Sequence, residues 1–193
     1  MRTTLIATLV LALCGLAYGQ KATTFSGTAL IYGSGMNTRT ITRTFNLRVT
    51  GVTSPTDAAS YLTTLTDHGQ DALLNDMSKN DLGRFSLGGS IGSPLSAVIV
   101  DEQDGKTRVR AVFQRWMGFG EIRGGYRSTD YPFGYVEVLI DPRTGKGEGT
   151  FIPAAKIRFR SGKNGGADTV EIEDFGTFPG RLMGVQMTGA MLR

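Results

Sequence analysis

The stretch Arg39-Thr40-Ile41-Thr42-Arg43-Thr44-Phe45-Asn46-Leu47-Arg48-Val49-Thr50 decides the fold class. In an extended chain Ile41, Phe45, Leu47 and Val49 share one face, and Thr40, Thr42, Thr44, Asn46 and Arg48 share the other. That period of two marks a strand with one buried and one solvated side, as in antiparallel sheets. Residues 23–32 read as a second strand. The turn-forming run Gly33-Ser34-Gly35-Met36-Asn37 between them predicts a hairpin.

The pattern continues downstream. Residues 84–87 form a short strand, 95–101 and 106–114 pair across 102–105, 133–141 and 148–160 pair across 142–147, and 168–175 follows a glycine-rich turn at 161–167. No strand–helix–strand alternation occurs, which argues against a parallel doubly wound sheet. Charge sets one register. Pairing Lys156 with Glu173 and Arg158 with Glu171 places Ile157 beside Ile172 and Phe159 beside Val170. A one-residue slip would set charges against the apolar row, so this register is favoured.

One helix interrupts the strands. Ser54 caps it, Pro55 suits its first position, and Asp57 lies where a carboxylate favours a helix N-terminus. Ala58, Leu62, Leu65, Gly69, Leu73 and Met77 recur every three or four residues as one apolar stripe. Gly69 implies either close approach to a sheet or a break into two shorter helices. The predicted fold is α+β and β-dominated. A curved antiparallel meander of about eight strands packs on one amphipathic helix near residues 55–78, with a closed barrel or a two-sheet sandwich as alternatives.

Arg2, the short apolar run Leu5 to Leu13 and the small residues of Ala17-Tyr18-Gly19 have the order of a secretory leader. The run is shorter than the roughly 20 residues a membrane span needs. Residues 1–19 are therefore expected to be cleaved, leaving one domain over 20–193 with no transmembrane segment. The single cysteine, Cys14, would leave with the leader, and Asn-X-Ser/Thr acceptors are absent. A bacterial-type export route to a periplasm or the extracellular space fits both observations. Net charge is +4, but no run of five basic residues occurs, so nucleic acid is not an expected partner.

Composition narrows the chemistry. With no cysteine beyond the leader and a single histidine, His68, thiol catalysis, iron–sulfur clusters and His-rich metal sites are excluded, and no metal or cofactor is expected. Gly88-Gly89-Ser90-Ile91-Gly92 matches the nucleophile-elbow pattern, yet another strand follows it and the histidine precedes it, so a flexible loop is the better account. His68 falls at the edge of the helix stripe as a boundary residue. The glycines around Gly118 have the wrong spacing for a dinucleotide loop.

Residues 113–135 carry the unusual content. Phe113, Trp116, Phe119, Tyr126, Tyr131, Phe133 and Tyr135 are interleaved with Arg115, Arg123, Arg127, Glu121 and Asp130. Aromatic faces beside guanidinium and carboxylate groups suit a small molecule, a glycan or a protein partner. The expected ligand-binding residues are Arg115, Trp116, Phe119, Glu121, Arg123, Tyr126, Arg127, Asp130 and Tyr131, in a non-enzymatic binding domain with no catalytic residues. Two alternatives remain. One is a hydrolase of an envelope or extracellular polymer using two of Glu121, Asp130 and Glu137 as acid and base. The other is a structural envelope component.

Overall fold

The computed structural model describes residues 22–32, 39–162, 169–176 and 178–190. The expected leader, the turn at 33–37 and most of the turn at 161–167 lie outside them. Ten strands are described: β1 (Thr23–Ile31), β2 (Ile41–Val49), β3 (Gly83–Leu87), β4 (Ser93–Pro94), β5 (Ala97–Gln103), β6 (Lys106–Gln114), β7 (Phe133–Ile140), β8 (Lys146–Arg160), β9 (Thr169–Asp174) and β10 (Gly180–Thr188). They form one curled antiparallel half-barrel sheet in the order β4-β3-β2-β1-β10-β8-β7-β6-β5, with β9 added to β8.

The two strands beyond the expected eight are β4 and β10. β10 is central, pairing with β1 on one side and β8 on the other. Its inward residues Leu182 and Val185 are three apart because the ladder shifts between them, at Gly184 with φ +59°. Such a bulge places an extra residue in the strand and hides the period of two. The ends of the sheet are consecutive in the chain. Leu95 exchanges backbone hydrogen bonds with Leu82 and Gly83 beside β3, while Ser96 N–H donates to Val112 of β6. Segment 93–103 thus bridges the first and last strands.

Side chains of distant strands meet inside the curl. Phe85 of β3 lies 5.4 Å from the ring of Phe113 on β6 and 5.0 Å from that of Phe151 on β8. Phe25, Leu47, Val98, Val109, Val136, Val138, Ile140 and Leu182 are among the other residues of this interior. The alternate residues of β5–β9, among them Ala97, Phe133, Tyr135, Ile152 and Ile157, form a second core on the outer face with helix α1 (Pro55–Met77). The sheet therefore packs on the helix without wrapping it. The charge-based register is observed: Lys156 faces Glu173, Ile157 faces Ile172, Arg158 faces Glu171 and Phe159 faces Val170. The ion pairs run diagonally, Arg158 to Glu173 at 2.9 Å and Arg160 to Glu171.

Ser54 caps α1 as expected, its hydroxyl oxygen accepting from Asp57 N–H at 3.1 Å. Gly69 breaks the helix, with φ +80° and ψ −173°, and a Cβ there would meet nothing within 4 Å. The close-approach reading of Gly69 is thus replaced by the break. Twelve residues of continuous helix span about 18 Å, yet Thr64 Oγ1 donates to Asp76 Oδ2 at 2.9 Å, so the two segments fold back on each other. Leu65, Leu73 and Met77 of the stripe are buried, but Leu62 is 44% exposed.

The break gives a signed test. Within an unbroken helix, alanine at position 69 would stabilise by about 1 kcal/mol. In the observed backbone region, which only glycine adopts readily, Gly69→Ala should cost about 1–3 kcal/mol. The shift of the urea midpoint distinguishes the two.

Candidate functional site

Strands β6 and β7 are joined by residues 115–132, and the backbone closes this loop where Arg115 N–H donates to Pro132 O at 2.9 Å. Inside it lie a short helix α2 (Phe119–Gly124) and a 3-10 turn over Arg127–Asp130. Arg115 organises both. Its Nε donates to Tyr131 O at 2.6 Å and its Nη2 to Ser128 O at 2.7 Å, while its two terminal nitrogens grip the Glu121 carboxylate. The Ser128 hydroxyl donates to the same carboxylate. A bidentate guanidinium–carboxylate pair is among the strongest and most directional hydrogen-bonded arrangements. Here it bolts α2 to the 3-10 turn.

Tyr131 anchors the base of the loop. It is buried, its hydroxyl donates to Glu173, its ring lies 5.1 Å from Phe175, and Lys156 Nζ sits 5.8 Å from its centroid. Gln70, just past the helix break, donates to Asp130 O at 2.9 Å and accepts from Ile157 N–H at 3.3 Å. The loop is therefore tied to β6, β8, β9 and α1.

The loop aromatics divide sharply. Phe113, Phe133 and Tyr135 are buried within strands. Trp116 is 84% exposed, Phe119 76%, Tyr126 63% and Ile122 57%. Phe119 and Ile122, three apart on α2, share one helix face, while Glu121 turns to Arg115. The Trp116 and Tyr126 rings lie against Gly118 and Gly124, so a side chain at position 124 would displace the Tyr126 ring. Arg123, Arg127 and Asp130 are exposed in the same loop. Of the expected binding residues, Trp116, Phe119, Tyr126, Arg123, Arg127 and Asp130 are thus on the surface. Arg115, Glu121 and Tyr131 are internal supports instead, because their polar groups are engaged within the loop and its base.

The arrangement presents contact surface more than acid–base chemistry. The hydrogen bond from Arg115, then that from Ser128, holds the Glu121 carboxyl below the usual carboxylate range, which suits an ion and not a proton donor. Glu137 lies four residues into β7 from Phe133, about 13 Å along the strand, where its carboxylate accepts from the Tyr135 hydroxyl at 2.7 Å. Ser90 sits in a turn after β3, its N–H bonded to Leu87 O, with β4 following in place of a helix. His68 is exposed beside the break. No cluster of three metal-ligating side chains and no helix long and apolar enough to cross a membrane is found among the described residues.

Sequence reasoning missed a second feature. Between α1 and the outer sheet face lies an apolar cavity of about 230 Å³, lined in part by Tyr61, Leu62, Leu65, Ile99, Val112 and Ile172. The exposure of Leu62 follows from its place on this wall. Arg110 and Tyr135 bring polar atoms to the lining. Arg110 Nη2 binds the Asp101 carboxylate, which Arg108 also grips at 2.6 and 2.8 Å, while Arg110 Nε is buried without a partner. Burial first, then the bond to Glu137, pushes the Tyr135 hydroxyl well above its ordinary pKa. The spacing of Phe119 and Ile122 between Gly118 and Gly125 was a readable signal for α2; nothing local announced the cavity.

Arg115→Ala should free the loop without unfolding the sheet. Losing hydrogen bonds to a charged group costs about 2 kcal/mol, which is roughly 30-fold faster hydrogen exchange at the loop amides. Acid should act in the same direction. Glu121 titrates below its ordinary value of 4.5, so its contribution is present above that value and lost as pH falls beneath it. The anisotropy of Trp116, the sole tryptophan, should drop over that range, and Glu121→Gln should flatten the response. Neither a protein-family model, nor a curated protein, nor a solved structure matches the chain.

Proposed function

We propose that this chain is an exported, non-enzymatic binding domain whose capture surface is Trp116, Phe119, Ile122 and Tyr126. One observation carries the reading: these are large apolar side chains held in solvent on a loop that Arg115 fixes from within. Exposed apolar patches cost solubility and mark interaction sites. Fixing the loop in advance lowers the entropy lost on binding. Arg123, Arg127 and Asp130 form a polar rim that selects among partners. Periplasmic or extracellular action rests on the leader-like order of Arg2, Leu5 to Leu13 and Ala17 to Gly19. Polymer hydrolysis has less support, because Glu121 is engaged by Arg115 and Glu137 stands on the sheet.

The cavity beneath α1 favours a second reading, in which the domain also holds a small apolar molecule. An apolar cavity of roughly 150 Å³ takes benzene, so about 230 Å³ suits a body of about nine carbons.

Replacing Trp116, Phe119 and Tyr126 together by alanine should leave stability within about 0.5 kcal/mol, as for other surface changes. It should weaken capture from a native envelope extract at least tenfold in a pull-down titration. A collapse of thermal stability instead would make the rings part of the core. For the cavity, propylbenzene should raise the melting temperature of the wild type, and Leu62→Trp, which fills the space, should abolish that rise.

A further inference from the structure

Accepting the loop as a capture surface, we infer that its partner is an anionic lipid surface, into which Trp116, Phe119, Ile122 and Tyr126 insert while Arg123 and Arg127 meet the headgroups. Three observations point there. The first is shape. The four side chains protrude, with 57–84% of each in solvent. A protein partner needs a complementary surface of some 20–30 residues a side, whereas a bilayer closes around any apolar projection without a matching pocket.

The second is residue type. Trp and Tyr favour the membrane–water interface, where an apolar ring and a polar edge are both satisfied. Phe119 and Ile122 lie on one face of α2 and extend the apolar edge.

The third is charge. Arg123 and Arg127 are exposed and form no ion pair among the described residues. Glu121, the acid nearest Arg123 in sequence, is neutralised by Arg115, and Asp130 is the acid nearest Arg127. Asp130 is the one exposed acid of the loop, so the rim carries an excess of positive charge. Basic residues beside an apolar edge give peripheral proteins both anchorage and preference for anionic lipid.

The test is co-sedimentation of the protein, purified after export, with phosphatidylcholine vesicles with or without phosphatidylglycerol. The wild type should sediment with phosphatidylglycerol vesicles, with a blue shift of Trp116 emission. Trp116→Ala/Phe119→Ala should weaken this at least tenfold. Arg123→Gln/Arg127→Gln should remove a preference for the anionic vesicles of roughly 30-fold while leaving residual binding to neutral ones. Sedimentation unchanged in the aromatic variant, or an undiminished anionic preference in the arginine variant, overturns the proposal. If the wild type ignores both vesicles while the alanine variant still loses envelope capture, the partner is a protein or glycan; the lipid proposal then falls and the capture reading stands. If the variant loses neither, both fall.

Discussion

The architecture depends on the insertion of β10 between β1 and β8. Thr24 pairs with Thr188, and Gly180 pairs with Phe151, so the last strand joins the N-terminal hairpin to the four-strand run β5–β8. Without that strand the two groups would expose the row of phenyl rings that now meet across the curl, Phe85 against Phe113 and Phe151. Closing contacts between chain ends carries a large entropic cost before the interior is buried, which makes such topologies slow to form. The apolar interior offsets that cost only once the sheet is complete.

Completion of the sheet divides labour between its faces. The inside is filled with apolar side chains and holds the fold together. The outside is left free on β5–β9, and there α1 settles incompletely, touching through Leu65, Leu73 and Met77 and leaving a hollow between. The break at Gly69 belongs to this arrangement. It turns the second helical segment back toward the first and delivers Gln70 to both Asp130 and Ile157. The aromatic loop is thus supported by the same sheet face that carries the cavity.

Much of this was legible in the chain. The alternation of β2, the capping Ser54, the hairpin between β5 and β6 and the Lys156/Glu173 register all rest on local chemistry, and local chemistry is what a sequence displays. β10 was not legible, because the bulge at Gly184 spaces Leu182 and Val185 by three. The two outcomes for Gly69 could not be separated by spacing, since both keep the stripe. In the loop, aromatic content alone did not distinguish Tyr131, which is buried against Phe175, from Trp116, which is exposed. The difference lies in the tertiary partners of Tyr131, namely Glu173, Phe175 and Lys156. The cavity and Arg110 depend on how far α1 stands from the sheet, a distance that no local pattern encodes.

One edge of the sheet has a consequence of its own. Among the described residues β9 pairs with β8 alone, which makes it an edge strand, the kind of border at which a strand from another molecule can add. Glu171, Glu173 and Asp174 lie along that short strand, charged side chains of the kind that make an edge a poor template for further pairing. Arg158 and Arg160 hold two of those acids in ion pairs, so this border offers an arriving strand solvated, paired charge in place of apolar surface.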